Sequence, residues 1–153
     1  MIRVTMNDQE RLLRWAEPRM GVPEGMLPPE SLALGIVREG TDEIEAVVVL
    51  NAFYSRQCAM HVASNGRRRW LTRAVLRAVF RYVFEFRDLI RAHAIIPVWN
   101  RRAMGFILHL GFLPEGTAKC GADDGSDGVL FGMTRATCPW LEDDDGQAAR
   151  TEA

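Results

Sequence analysis

Three consecutive cations, Arg67, Arg68 and Arg69, follow a Ser64-Asn65-Gly66 break and lead into an amphipathic run. The first turn of a helix presents N–H groups without intrahelical acceptors and the positive end of the macrodipole, so cations there cost roughly 0.3–1 kcal/mol each unless something negative sits nearby. Phosphate or pyrophosphate is the usual occupant of such a position. Farther along, Arg69, Arg73, Arg77 and Arg81 fall four residues apart and share one helix face. That row is either a solvated face relieved by acids elsewhere in the fold or a phosphate track for nucleic acid. His61 lies in a β-rich run, and its unperturbed pKa near 6.5 suits a general base, although a histidine hydrogen-bonded within a sheet fits the same pattern. Tyr54, just before that run, is a weaker candidate acid. His93 and His109 read as structural and surface residues.

The net charge of −1 conceals a strong asymmetry. Residues 55–102 hold eleven Arg against Glu85 and Asp88, a local +9, whereas residues 1–54 carry −4 and residues 103–153 carry −6. The central excess calls for an anionic ligand, an acidic partner, or pairing with the acidic flanks.

These residues need a scaffold, and the pattern supplies one. Asn7 and Glu10 form a potential capping box for a helix carrying Leu12, Leu13, Ala16 and Met20, ended by Pro18 or by Gly21-Val22-Pro23. Residues 32–37 and 44–50 read as a hairpin around Glu39-Gly40-Thr41-Asp42, and a third strand covers 57–63. The periodicity of Leu71, Ala74, Val75, Ala78, Val79 and Val83 predicts a helix over 67–84. A strand over 89–96, a helix over 100–109 stopped by Gly111, and strands over 112–119 and 129–134 around a Gly/Asp-rich turn complete the order. Strand, helix and strand around residue 75 make one βαβ unit.

The 153 residues make room for one domain, here 1–140, followed by an acidic tail over 141–153 that reads as disordered. With 48% apolar and 25% charged residues, collagen-like, coiled-coil and wholly disordered classes are excluded. No apolar run approaches the ~20 residues of a membrane span. The amino terminus does not read as a secretory signal, so a cytoplasmic location is expected. Cys58, Cys120 and Cys138 are too scattered for a disulfide framework or a zinc site, and no metal is expected.

Two motifs resemble the GNAT superfamily of acyl-CoA-dependent N-acetyltransferases, over roughly residues 1–135. Val62 leads to Arg67 at the spacing of the family's pyrophosphate loop, with Trp70 and Thr72 where small residues are usual. Asn100-x-x-Ala103-x-x-Phe106-x-x-His109-Leu110-Gly111-Phe112 is similar to the family's Asn-x-x-Ala helix running into Leu-Gly-Phe. The resemblance implies an α/β fold with a mixed, mainly antiparallel sheet, helices on both faces and a central βαβ crossover. It implies acetyl-CoA as acyl donor, held by Val62, Ala63, Arg67, Arg68, Arg69, Trp70, Leu71, Thr72, Asn100 and Ala103. It also implies transfer of acetyl to a primary amine, with His61 just before the thioester position. Ile107 stands where the family often has a proton-donating Tyr. The layout further resembles GNAT-like proteins of phages and prophages. Two alternatives accompany this reading: a nucleic-acid-modifying or nucleic-acid-binding protein using Arg73, Arg77 and Arg81, and a degenerate module that binds CoA without turnover. The acceptor and the oligomeric state are not legible.

Overall fold

The near-continuous apolar runs over residues 33–37 and 44–50 read as strands buried on both faces, and they lie side by side in one sheet. The computed structural model describes residues 1–142; most of the expected acidic tail therefore lies outside the described residues. Seven strands form one sheet: β1 Ile2–Thr5, β2 Leu32–Arg38, β3 Glu43–Tyr54, β4 Gln57–Ser64, β5 Arg91–Pro97, β6 Leu113–Ala118 and β7 Gly128–Thr134, in the order β1-β2-β3-β4-β5-β7-β6. All neighbours are antiparallel except β4 and β5. That parallel pair is joined by α2, Arg73–Arg81, in the expected βαβ unit. Helix α1, Gln9–Arg19, packs against β2, β3 and β4, while α2 and α3, Arg101–His109, cover the opposite face.

Each face carries its own core. The larger one interleaves Val48, Leu50, Cys58 and Met60 with Ala92, Ala94, Phe131 and Met133, under Val79, Phe80, Phe84, Ile107 and Phe112. The smaller one joins Leu12 and Ala16 of α1 to Ala33, Val37, Val47, Val49 and Ala63. Gly35 lets Leu12 lie directly on β2, where a Cβ would collide with the leucine side chain. Burial lifts the Cys58 thiol pKa to about 11, so this sulfur is neutral core.

Several boundaries differ from expectation for identifiable reasons. Asp8, not Asn7, caps α1, its carboxylate accepting from Arg11 N–H, and Pro18 is accommodated in the last turn. The apolar period that predicted a helix from residue 67 belongs in part to a loop. The helix begins only at Arg73, where Thr72 caps it by accepting from Val75 N–H. It ends early as well, widening into a π-helical turn over Tyr82–Phe86. Strand β3 runs to Tyr54, four residues beyond the expected Leu50. The edge strand β1, Ile2–Thr5, has no counterpart among the elements expected from the sequence.

The seam between β4 and β5 is short. Their register pairs only Gln57 with Arg91, Cys58 with Ala92 and Ala59 with His93. Beyond that point β4 stays paired to β3 as far as Ser64, and β5 stays paired to β7 as far as Pro97. The two strands therefore diverge, leaving a gap in the middle of the sheet.

Candidate active site

The gap opens into a groove with two ends. One end is a cavity of about 330 Å³ lined by Ser64, Gly66, Arg67, Arg68, Trp70 and Arg102. The other, of about 540 Å³, is lined among others by His61, Ile107, Trp99, Asp123 and Asp124. Val62, Asn100, Ala103 and Phe106 line both, so a largely apolar neck joins a basic end to an acidic one.

The basic end is shaped by its own polar side chains. Ser64 Oγ accepts from Gly66 N–H and Trp70 Nε1–H, and Asn65 Oδ1 accepts from Arg67 N–H. Gly66 adopts φ +90°, a conformation that favours glycine. The main-chain N–H groups of Arg68, Arg69 and Trp70 have no hydrogen bond among the described residues and remain as donors for an anion. The three cations precede the helix rather than occupying its first turn, so the helix-dipole conflict expected for them does not arise.

Arg69 departs from its expected place. Its Nε lies 3.2 Å from Oε1 of Glu45, a fully buried carboxylate on β3, instead of facing the basic cavity. Glu45 also accepts from Arg38 at 2.6 Å and from Asn65 Nδ2 at 3.0 Å. One buried anion thus ties the loop to the sheet, and Arg69 positions the loop rather than presenting charge to a ligand. Glu45→Gln keeps the shape and removes the charge. We expect it to lower stability by about 1–3 kcal/mol in urea unfolding, as loss of charged hydrogen bonds at a buried site does.

Other expected residues separate in the same way. Trp70 is buried, with its ring 6.3 Å from that of Phe106, and walls the groove where a small residue was anticipated. Ala63 lies in the α1-side core and Thr72 is a helix cap, so these two serve the scaffold; Leu71 packs against the larger core. Asn100 caps α3 by accepting from Ala103 N–H while also lining both cavities, so its two readings coexist. Tyr54 stands 76% exposed at the β3–β4 turn and lines neither cavity, so the structure does not bring it to His61.

His61 lies at the acidic end with its Nε2 3.0 Å from Oδ1 of Asn51. Burial holds its pKa below the ordinary histidine value; Asp123 pulls it upward and His93 adds a smaller push downward. That lowering favours the neutral form of the imidazole. Ile107, buried at the cavity wall, offers no proton.

Sequence reasoning missed Arg102, Trp99, Asp123, Asp124, Glu45 and Asn51. Asp124 is spent on structure, accepting from Ser126 N–H, Ser126 Oγ–H and Trp99 Nε1–H, and thereby pinning the Trp99 ring at the rim. Asp123 makes no hydrogen bond among the described residues, and its charge acts on His61. Among the described residues no group of three or more His, Cys, Asp or Glu could hold a metal ion, and no helix is long and apolar enough to cross a membrane.

The architecture matches solved acetyltransferases. A chimeric spermidine N-acetyltransferase from Vibrio cholerae superposes with a TM-score of 0.69 at 11% identity, covering 93% of this chain and 99% of that one. The fold is the GNAT fold. A second such chimera from Vibrio cholerae gives 0.60 at 14% identity over 69% of this chain, and a protein described as a putative ribosomal-protein-serine acetyltransferase from the same organism gives 0.60 at 20% over 69%. This chain spans 66% and 64% of the length of those two proteins. No family model matches the chain, and no curated protein does.

Proposed function

We propose that this GNAT-fold chain is an acyl-CoA-dependent N-acyltransferase that moves acetyl from acetyl-CoA to a primary amine, acting in the cytoplasm through a single domain over residues 1–140. The observation that carries the reading is the groove itself, basic at one end, titratable and acidic at the other, and threaded through the β4–β5 gap. Arg67, Arg68 and Arg102, with the free N–H groups of the loop, suit the phosphates of the donor. Val62, Asn100, Ala103 and Phe106 suit its arm. His61 accepts a proton from the amine as the new C–N bond forms and the C–S bond breaks. Since Ile107 cannot protonate the departing thiolate, water in the open cavity does so. Asp123 and the exposed Trp99 favour an acceptor that carries a second positive charge. The solved spermidine N-acetyltransferases of the same fold act on such an amine, which supports the same class here.

The nucleic-acid reading rests on Arg73, Arg77 and Arg81, and the phage-like layout belongs with it. Arg77 and Arg81 are half-buried, and Arg81 Nε lies 3.8 Å from Glu85, which lowers the charge that row offers to a phosphate backbone. A thiol-release assay with acetyl-CoA and a panel of amines tests the proposal. Release that depends on amine, and is faster for diamines and polyamines than for neutral primary amines of equal length, is expected. CoA binding without release at any amine would make the chain a binding module. DNA retention with steep salt dependence and no release would favour the nucleic-acid reading.

A further inference from the structure

Behind His61 stands a polar pair that the acyl-transfer chemistry above does not use. Asn51 is 94% buried, and its Oδ1 faces His61 Nε2 while its Nδ2 donates to Ser31 Oγ at 3.3 Å. Few polar side chains are buried among the described residues, and an asparagine inside a strand of valines is unfavourable unless its groups are satisfied. The backbone is also bent to place it. Ala52, the next residue, has φ +50°, and the register with β4 shifts between Asn51 and Tyr54. A non-glycine residue in that region is strained, and bulges of this kind re-aim side chains beside functional sites.

We propose that Asn51 is a positioning residue that holds His61 as the Nε2–H tautomer and so leaves Nδ1 as the basic nitrogen, with Ser31 steadying the amide. The proposal rests on His61 acting as the base. An amide oxygen suits both states of the cycle: it accepts from Nε2–H when the ring is neutral and continues to do so after Nδ1 has taken the amine's proton. The opposite amide orientation would set an NH2 group against an N–H of the imidazolium, repelling the ring when it carries charge. The other titratable groups facing the ring are Asp123 from the β6–β7 loop, which raises its pKa, and His93 on β5, which lowers it. The α1 end contributes only Met20 and Gly21 to this cavity.

The test reads the tautomer directly, by nitrogen-15 NMR of the histidine-labelled full chain above the His61 pKa. We expect Nε2 to carry the proton in the parent protein. Asn51→Leu is expected to abolish that preference and to lower kcat by about tenfold or more with acetyl-CoA KM little changed, as a wrong tautomer does in a histidine base. Asn51→Asp restores an acceptor and adds a negative charge, so it is expected to keep the Nε2–H tautomer and to move the pH profile to a higher apparent pKa. A parent spectrum showing Nδ1–H, or an Asn51→Asp variant as impaired as Asn51→Leu with an unmoved profile, would overturn the proposal. The spectrum needs no turnover, so failure of His61 as the base, seen as full activity in His61→Ala, is distinguishable from failure of the tautomer assignment.

Discussion

His61→Ala is expected to lower kcat/KM for amine acetylation by about 10²-fold or more, the usual loss when a general base is removed, while leaving acetyl-CoA affinity unchanged in calorimetry. If His61 is the base of the proposed reaction, the parent protein should gain activity with rising pH as the ring loses its proton. Burial holds the ring's pKa below the ordinary value, so the rise is centred below about pH 6.5 and activity is already near its plateau at neutrality. Asp123 pulls that pKa upward, so Asp123→Asn should move the rise to still lower pH. His61→Ala should flatten it altogether. A variant that keeps both its rate and its pH profile would show that the proton leaves by water or through the substrate.

Removing Arg67 and Arg68 together is expected to weaken acetyl-CoA binding about tenfold or more, with ~1.5–3 kcal/mol as the guide for each charge-assisted contact. Both line the basic cavity, and neither has an acidic partner in its own chain among the described residues. Arg69→Ala is different in kind, because that side chain serves Glu45; it should cost folding stability more than intrinsic affinity. Calorimetry and urea unfolding on the same variants separate the two effects. Equal affinity in the parent and the Arg67/Arg68 double variant would remove the phosphate assignment.

Most of the strands and the position of the central crossover were legible because buried strands and an amphipathic helix leave traces in the sequence, whereas the strand order and the edge strand β1 were not. Asn100 was legible as a helix cap from its spacing, and its place beside the gap was implied only by the GNAT resemblance. The division of labour among Arg67, Arg68 and Arg69 was not legible. Nothing in three identical residues tells which one turns inward, and the deciding partner, Glu45, lies more than twenty positions upstream in a strand that otherwise reads as apolar. Asp123 was hidden in a Gly/Asp-rich turn where an aspartate is ordinary, and only the folding of that turn over the groove sets it beside His61. The helix start was misplaced because Leu71 keeps helical spacing while packing against the core ahead of the helix.

The three-pair seam between β4 and β5 makes the sheet mechanically two plates. On the α2 side the plates share one core, since Cys58 and Met60 interlock with Ala92, Ala94, Phe131 and Met133. On the α1 side the apolar packing stops at β4, and no residue of β5, β6 or β7 joins it. The joint is therefore packed along one edge and unbraced along the other, like a book bound on the α2 side. The unbraced face is the one that carries His61, so the acidic end of the groove lies where no shared apolar core spans the seam.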